Sequence, residues 1–267
     1  MNDNEEDCIS FLSGYLFFLE GPICAGKSTL LRTCRRYGKR DQNKNDVIFF
    51  EEDIPEKWIE EYKKELESTD DESEKMKFSM NLQEKIMDLR ELEVNIALDH
   101  VAHGRTVVME RGTLGNLVFA LNAFSKYKDQ EKIFTLFAKY VLRMSSLISK
   151  RPVVDPHKVI TIYLKTDVEE AIARNGKRDK NHPYEPAYMY RLQEIYEQML
   201  EAVPAEQLLV VDMRKLCHDD FGGDCELEED YDSHTSEYRY KAYFLLKIQQ
   251  LLKEKMDMVT NKLVDKS

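Results

Sequence analysis

Residues 21–29 read Gly21-Pro22-Ile23-Cys24-Ala25-Gly26-Lys27-Ser28-Thr29 and fit the pattern G-x-x-x-x-G-K-[ST]. In such a stretch the backbone N–H groups of a glycine-rich turn converge on one point, and the helix that follows adds the positive end of its dipole. That point holds a phosphate. Gly21, Ala25, Gly26 and Thr29 supply the cradle, Lys27 is the ammonium that reaches the β- and γ-phosphates, and Ser28 offers a hydroxyl to Mg²⁺.

Four further groups of residues could act on what the turn holds. Phe50-Glu51-Glu52-Asp53 ends an apolar run in carboxylates, and one of them could accept a proton from an attacking hydroxyl. Val107-Val108-Met109-Glu110-Arg111 ends another run in an acid–base pair. Arg111 can hold a transferring phosphoryl and Glu110 can help to position Mg²⁺ through water. Gln83, Ile86 and Arg90 fall within about 60° of one another on a helix, and a Gln amide suits the edge of a nucleobase. Arg174, Arg178 and Lys180 cluster where a helix gives way to a polar segment, and they could close over transferring phosphates. Each group also has a bland reading. Carboxylates in a row suit a solvated turn, Glu110 with Arg111 suits a structural ion pair, and the other two suit wet surfaces.

These residues need a scaffold that brings strand ends together. Short apolar, β-branched or aromatic runs recur at 15–19, 47–50, 106–109, 159–164 and 208–211. Amphipathic stretches at 27–37, 55–68, 74–103, 114–125, 131–150, 168–175, 184–202 and 237–258 separate or follow them, and the third is long enough to contain a break. The alternation predicts an α/β fold: a five-stranded parallel sheet with helices on both faces, whose ligand side is the carboxyl end of the strands. The 267 residues are expected to form one domain, 1–267, with a flexible start at 1–13 and an acidic, aliphatic-poor insertion at 219–236.

Composition narrows the partners. A formal charge of −11 argues against a general nucleic-acid binder, because affinity for a phosphate backbone needs a basic surface. Five cysteines without a CxxC pair or an even framework suit reduced thiols inside a cell. No apolar run is long enough to cross a bilayer, and the acidic start Met1-Asn2-Asp3-Asn4-Glu5-Glu6-Asp7 lacks the character of a secretory or transit peptide. The expectation is a cytoplasmic protein acting on small molecules.

Taken together, the motifs resemble the deoxyribonucleoside kinase family, the group of deoxycytidine, deoxyguanosine and mitochondrial thymidine kinases and the insect and viral multisubstrate enzymes. The resemblance runs from about residue 14 to residue 212. It rests on Glu20 through Thr29, the acidic motif before Trp58, Gln83 with Arg90, Glu110-Arg111 followed by Phe119-Ala120, and the lid Arg174/Arg178/Lys180. It implies transfer of the γ-phosphoryl of ATP-Mg²⁺ to the 5′-hydroxyl of a deoxyribonucleoside, in nucleoside salvage and DNA precursor synthesis. It also implies roles: Glu52 as the base, Gln83 on the nucleobase edge, Phe119 stacked on the base, Arg111 at the 5′ end, and the lid cations on the γ-phosphoryl. A homodimer is implied as well, with the helices at 114–125 and 131–150 as its interface.

The sequence departs from the family pattern in places. Glu-Pro-x-x-x-Trp lacks its proline here, and counting back from Trp58 lands on Asp53 while the strand end favours Glu52. The tyrosine that contacts the sugar 3′-hydroxyl is replaced by Glu72, leaving Glu185 as a partial substitute. The aspartate that faces the base falls on Gly115 or Asn116, so Arg90 has no evident acidic partner there. Two alternatives stay open at this level. One is a nucleoside monophosphate kinase of thymidylate-kinase type; the other is an inactive nucleotide-binding accessory subunit of the same fold.

Overall fold

The structure is a computed structural model that describes residues 14–38, 47–125, 127, 130–150, 155–178 and 184–213. The segments at 1–13 and 219–236, the helix expected at 237–258 and Lys180 lie outside the described residues. Strands β1 (Leu16–Glu20), β2 (Ile48–Phe50), β3 (Val107–Glu110), β4 (Val159–Lys165) and β5 (Leu208–Asp212) form one sheet in the order β2-β3-β1-β4-β5. All four pairings are parallel. The helices are α1 (Lys27–Gly38), α2 (Glu56–Glu67), α3 (Glu72–Ala102), α4 (Thr113–Phe124), α5 (Gln130–Ser149), α6 (Val168–Arg178) and α7 (Pro186–Leu200).

Strand β1 shows why the apolar runs are near-continuous. Its side chains alternate between two faces, and both faces are covered. Leu16 and Phe18 pack with Met87, Val94 and Leu98 of α3 and Leu117 and Phe124 of α4. Phe17 and Leu19 pack on the opposite side with Leu30 and Leu31 of α1, Ile160 and Ile162 of β4, and Leu209 and Val211 of β5. Because β1 lies between β3 and β4, the chain leaves its carboxyl end at the crevice where the strand order reverses, the place at which such sheets bind ligands.

Helix α3 runs unbroken for 31 residues. Asp71 caps it by accepting the Ser73 N–H at 2.8 Å, and Glu72 and Glu74 complement the dipole in the first turn. Its inward residues, Met76, Ser79, Leu82, Ile86, Arg90, Val94, Leu98 and Val101, recur three to four apart, so one stripe faces the core along the whole length. No helix among the described residues is long and apolar enough to cross a membrane.

The expected helix at 114–125 is α4, and much of it is buried within the chain. Asn116, Leu117, Val118, Ala120 and Phe124 of α4 are buried between the sheet, α3 and α7. Large exposed apolar side chains sit instead on α5, where Phe134 and Leu142 are 71% and 70% exposed, and on α3 at Leu92 and Ile96.

Candidate active site

The turn after β1 is shaped by three positions of positive φ. Gly21 has φ +146°, and a Cβ there would stand 2.9 Å from the Leu164 carbonyl oxygen, so only glycine lets the chain leave the sheet at this point. Gly26 at φ +92° then turns the chain into α1. Cys24, at φ +63°, is a non-glycine residue held in the same region, a local strain of the kind found at ligand clamps. Lys27 is buried inside this loop, and its Nζ donates to the carbonyls of Gly21 and Pro22 at 2.8 Å each. Burial pulls its pKa down to about 8, with the nearby Arg111 guanidinium acting in the same direction and Glu110, Glu52 and Glu20 opposing. Thr29 is exposed at the first turn of α1, and Ala25 is fully buried beneath the loop.

Ser28 and Glu110 meet across the crevice. The Ser28 hydroxyl donates to Glu110 Oε1 at 2.7 Å, which joins the turn after β1 to the end of β3. Two hard oxygen donors beside a phosphate-binding turn are a donor set that fits Mg²⁺, which takes few protein ligands and completes its shell from phosphates and water.

At the end of β2, one carboxylate lies between two guanidinium groups. Glu52 Oε1 is 3.2 Å from Arg90 Nη2, and Glu52 Oε2 is 3.2 Å from Arg111 Nε. Asp53, one residue on, is exposed, so Glu52 is the acid of this motif that shares the site with Arg111. Glu52 Oε1, Arg90 Nε and Nη2, and Arg111 Nε are buried without a hydrogen-bond partner. The ion pairs therefore leave directional capacity unused at this point, which a hydroxyl or phosphate oxygen could take up.

Arg90 corrects an expectation. Far from lacking an acidic partner, it is 1% exposed and bonds Glu93 Oε2 at 2.5 Å as well as facing Glu52. Burial raises the pKa of Glu93, with Arg90 opposing. Positions 115 and 116 explain why no acid stands there. A Cβ on Gly115 would fall 2.3 Å from Arg111 Cγ and 2.4 Å from Glu20 Oε2, and Asn116 turns into the core, where its Nδ2 donates to the Tyr140 hydroxyl at 3.0 Å.

The other expected residues divide. Phe119 lies under Arg111, whose guanidinium carbon is 3.8 Å from the ring centroid. Arg174 on α6 reaches the loop, with its Nη1 donating to the Cys24 carbonyl at 3.2 Å and its Nη2 paired with Glu170. Arg178 is exposed one turn further along α6. Gln83 is half-buried on α3, seven residues before Arg90 and so about 10 Å away along the axis. Glu185 is exposed just before α7, and its backbone carbonyl accepts from the Tyr188 and Met189 N–H groups.

Several residues at the site were assigned no role from the sequence. Glu93 is one helical turn from Arg90, so its pairing follows from i,i+3 spacing once Arg90 is known to face inward. Tyr62 on α2 shares a hydrogen bond with Ser79 of α3 at 2.9 Å. Tyr188 on α7 has its pKa pushed up to about 12, chiefly by burial, with Tyr184 adding and Arg111 opposing. Glu20 and Tyr196 are buried beside Arg111, and their hydrogen bond ties β1 to α7.

Solved structures of deoxyadenosine kinase from M. mycoides align with bound dCTP at a TM-score of 0.51 and 19% identity, and with bound dATP at 0.50 and 21%. These alignments cover 74% of this chain and 89% and 90% of those chains. A third structure of that enzyme, with products dCMP and a flexible dCDP, gives 0.50 and 18% identity over 94% of this chain and 99% of the other. At such identities the likeness concerns the fold. No curated protein sequence matches significantly. The model of the deoxynucleoside kinase family matches residues 17–237, a span that takes in the phosphate loop, Glu52, Arg90, Arg111 and α6, and the chain therefore belongs to that family.

Proposed function

We propose that this protein transfers the γ-phosphoryl group of ATP to the 5′-hydroxyl of a deoxyribonucleoside. The observation that carries the reading is the Glu52 carboxylate, held 3.2 Å from Arg111 on the same strand-end edge as Lys27 and the Ser28–Glu110 pair. A base, a phosphate clamp and a phosphate loop thus converge on one crevice. In this reading Glu52 accepts the proton of the 5′-hydroxyl as its oxygen attacks the γ-phosphorus, the bond to the β-phosphate oxygen breaks, and ADP leaves. Arg111 holds the 5′ end and the transferring phosphoryl; Lys27, Arg174 and Arg178 neutralise the phosphate oxygens. Mg²⁺ held by Ser28 and Glu110 would supply charge neutralisation across the β- and γ-phosphates.

Gln83 and Phe119 contact the base in this reading, with Arg90 as the wall between Gln83 and Glu52. Tyr62 and Tyr188 are the hydroxyls near the site that could stand in for the missing sugar-binding tyrosine. The chain pairs with a second copy through the apolar side chains exposed on α5 and α3, and sedimentation of Leu142→Glu against wild type tests that pairing. The activity itself is tested by assaying ATP with the four deoxynucleosides and, separately, with their monophosphates. Turnover with a nucleoside supports the reading, and turnover with monophosphates alone overturns it.

A further inference from the structure

Glu20 is the last residue of β1 and is fully buried. A carboxylate in such a place is costly unless every lone pair is used, and this one is well served. Its Oε1 accepts the Gly112 N–H at 2.8 Å and the Gly115 N–H at 3.0 Å, and its Oε2 accepts the Tyr196 hydroxyl at 3.1 Å. Gly112 is the residue that caps α4, and it has no side chain to do so. Glu20 therefore caps α4 from another strand, with its negative charge at the positive end of the helix.

What stands directly before Gly112 is Arg111, at φ +64°. This left-handed conformation is unfavourable for a residue with a side chain and persists only where the surroundings fix it. Two neighbouring residues of β1 do so. The Leu19 carbonyl accepts the Arg111 N–H at 2.9 Å, and the Glu20 carboxylate accepts the Gly112 N–H, so both peptide groups flanking the Arg111 Cα are gripped by the strand that leads into the phosphate loop. The missing side chain at Gly115 leaves the room that the Arg111 stem and the Glu20 carboxylate share.

We infer that Glu20 is a positioning residue for Arg111: by accepting the Gly112 and Gly115 N–H groups it fixes the turn that aims the Arg111 guanidinium at Glu52 and at the transferring phosphoryl. It touches no substrate. The inference rests on the proposed role of Arg111 in phosphoryl transfer, and it separates reach from charge. Glu20→Asp keeps the charge but withdraws the acceptor by one methylene; Glu20→Gln keeps an acceptor in reach of both N–H groups and loses the charge.

The test is kcat for ATP and a deoxynucleoside with Glu20→Asp and Glu20→Gln, each in the wild-type and in the Arg111→Ala background. Misplacement of a catalytic group by about 1 Å can cost about a hundredfold, so Glu20→Asp is expected to lose about tenfold to a hundredfold in kcat while Glu20→Gln stays within about threefold. In the Arg111→Ala background the Asp penalty is expected to vanish, because the group being positioned is gone. A general folding defect would lower both backgrounds by the same factor, and that result overturns the inference. So does a Gln variant that falls as far as the Asp variant, or full kcat in both. If the Asp variant does not fold, the Gln variant decides, and a loss above about tenfold overturns. Wild-type kcat in Arg111→Ala alone overturns the role of Arg111 itself, and the inference with it.

Discussion

Arg90, wholly buried on α3, places its Nη2 3.2 Å from Glu52 Oε1 at the end of β2. Since Glu93 holds the other side of the same guanidinium, one cation serves two partly buried carboxylates. Removing one member of such a set leaves charge without compensation, which typically costs about 3–5 kcal/mol. Arg90→Met is therefore expected to lower stability by an amount in that range, seen as a reduced urea midpoint, and to weaken turnover by releasing Glu52. Adding Glu93→Gln should recover part of the stability. A gain in thymidine turnover at unchanged stability would show that Arg90 acts on the base alone.

Glu52→Gln keeps the shape of the side chain and removes the proposed base. General-base catalysis contributes about 10²–10⁴-fold, so kcat is expected to fall by that factor, while Asp53→Asn, at an exposed position, stays within a few fold. The reverse order of the two variants would place the base at Asp53.

The sheet was legible because its central strand β1 is covered on both faces and reads as a continuous apolar run, and because short apolar runs mark even the edge strands β2 and β5, where Val210 is 47% exposed. What it mismarked is informative. The apolar runs at 15–19, 106–109 and 208–211 stop one residue short of strands that end on Glu20, Glu110 and Asp212. Ladder hydrogen bonds do not depend on side-chain polarity, so each strand carries one charged residue past its apolar run; at β3 this residue is Glu110, which meets Ser28 in the crevice, and at β1 it is Glu20, buried beside Arg111. The phosphate loop was legible because its function needs a contiguous pattern. Glu93 and Tyr196 were not, because what makes them part of the site is a partner that folding brings in, Arg90 in one case and Glu20 in the other. The family's base-facing aspartate falls on Gly115 or Asn116, neither acidic, and at 115 the space a side chain would need is taken by Arg111 and Glu20.

Gly115→Asp tests that last point. Its Cβ would meet Arg111 Cγ at 2.3 Å and Glu20 Oε2 at 2.4 Å, and its carboxylate would stand beside that of Glu20. Overpacking typically costs about 1–3 kcal/mol, and like charges in a buried site add to it. The variant is expected to melt at lower temperature and to lose most of its turnover, with no gain for any base. Wild-type melting and a changed base preference would mean that position 115 opens onto the nucleobase after all.

Lys27 gives the site a pH dependence whose direction is fixed by its burial. The folded chain releases the Lys27 proton at about 8, against an ordinary value of 10.5. Below pH 8 both folded and unfolded chains hold the proton, and the full penalty of burying the charge is present. Between 8 and 10.5 the unfolded chain binds more protons, so the contribution of Lys27 to stability rises with pH, by about 3 kcal/mol over the whole interval. Other groups also titrate there, and the difference in unfolding free energy between wild type and Lys27→Met isolates this one; it is expected to shift in favour of wild type as pH rises from 8 to 10.5. Function should move the opposite way. The protonated ammonium is the form that pairs with phosphate, so kcat/KM for ATP, which reports the free enzyme, is expected to fall as pH rises through about 8, and Lys27→Ala to lose at least about a hundredfold in kcat. A kcat/KM profile flat from pH 7 to 10 would show that Lys27 keeps its proton throughout, and that its bonds to the Gly21 and Pro22 carbonyls outweigh its burial.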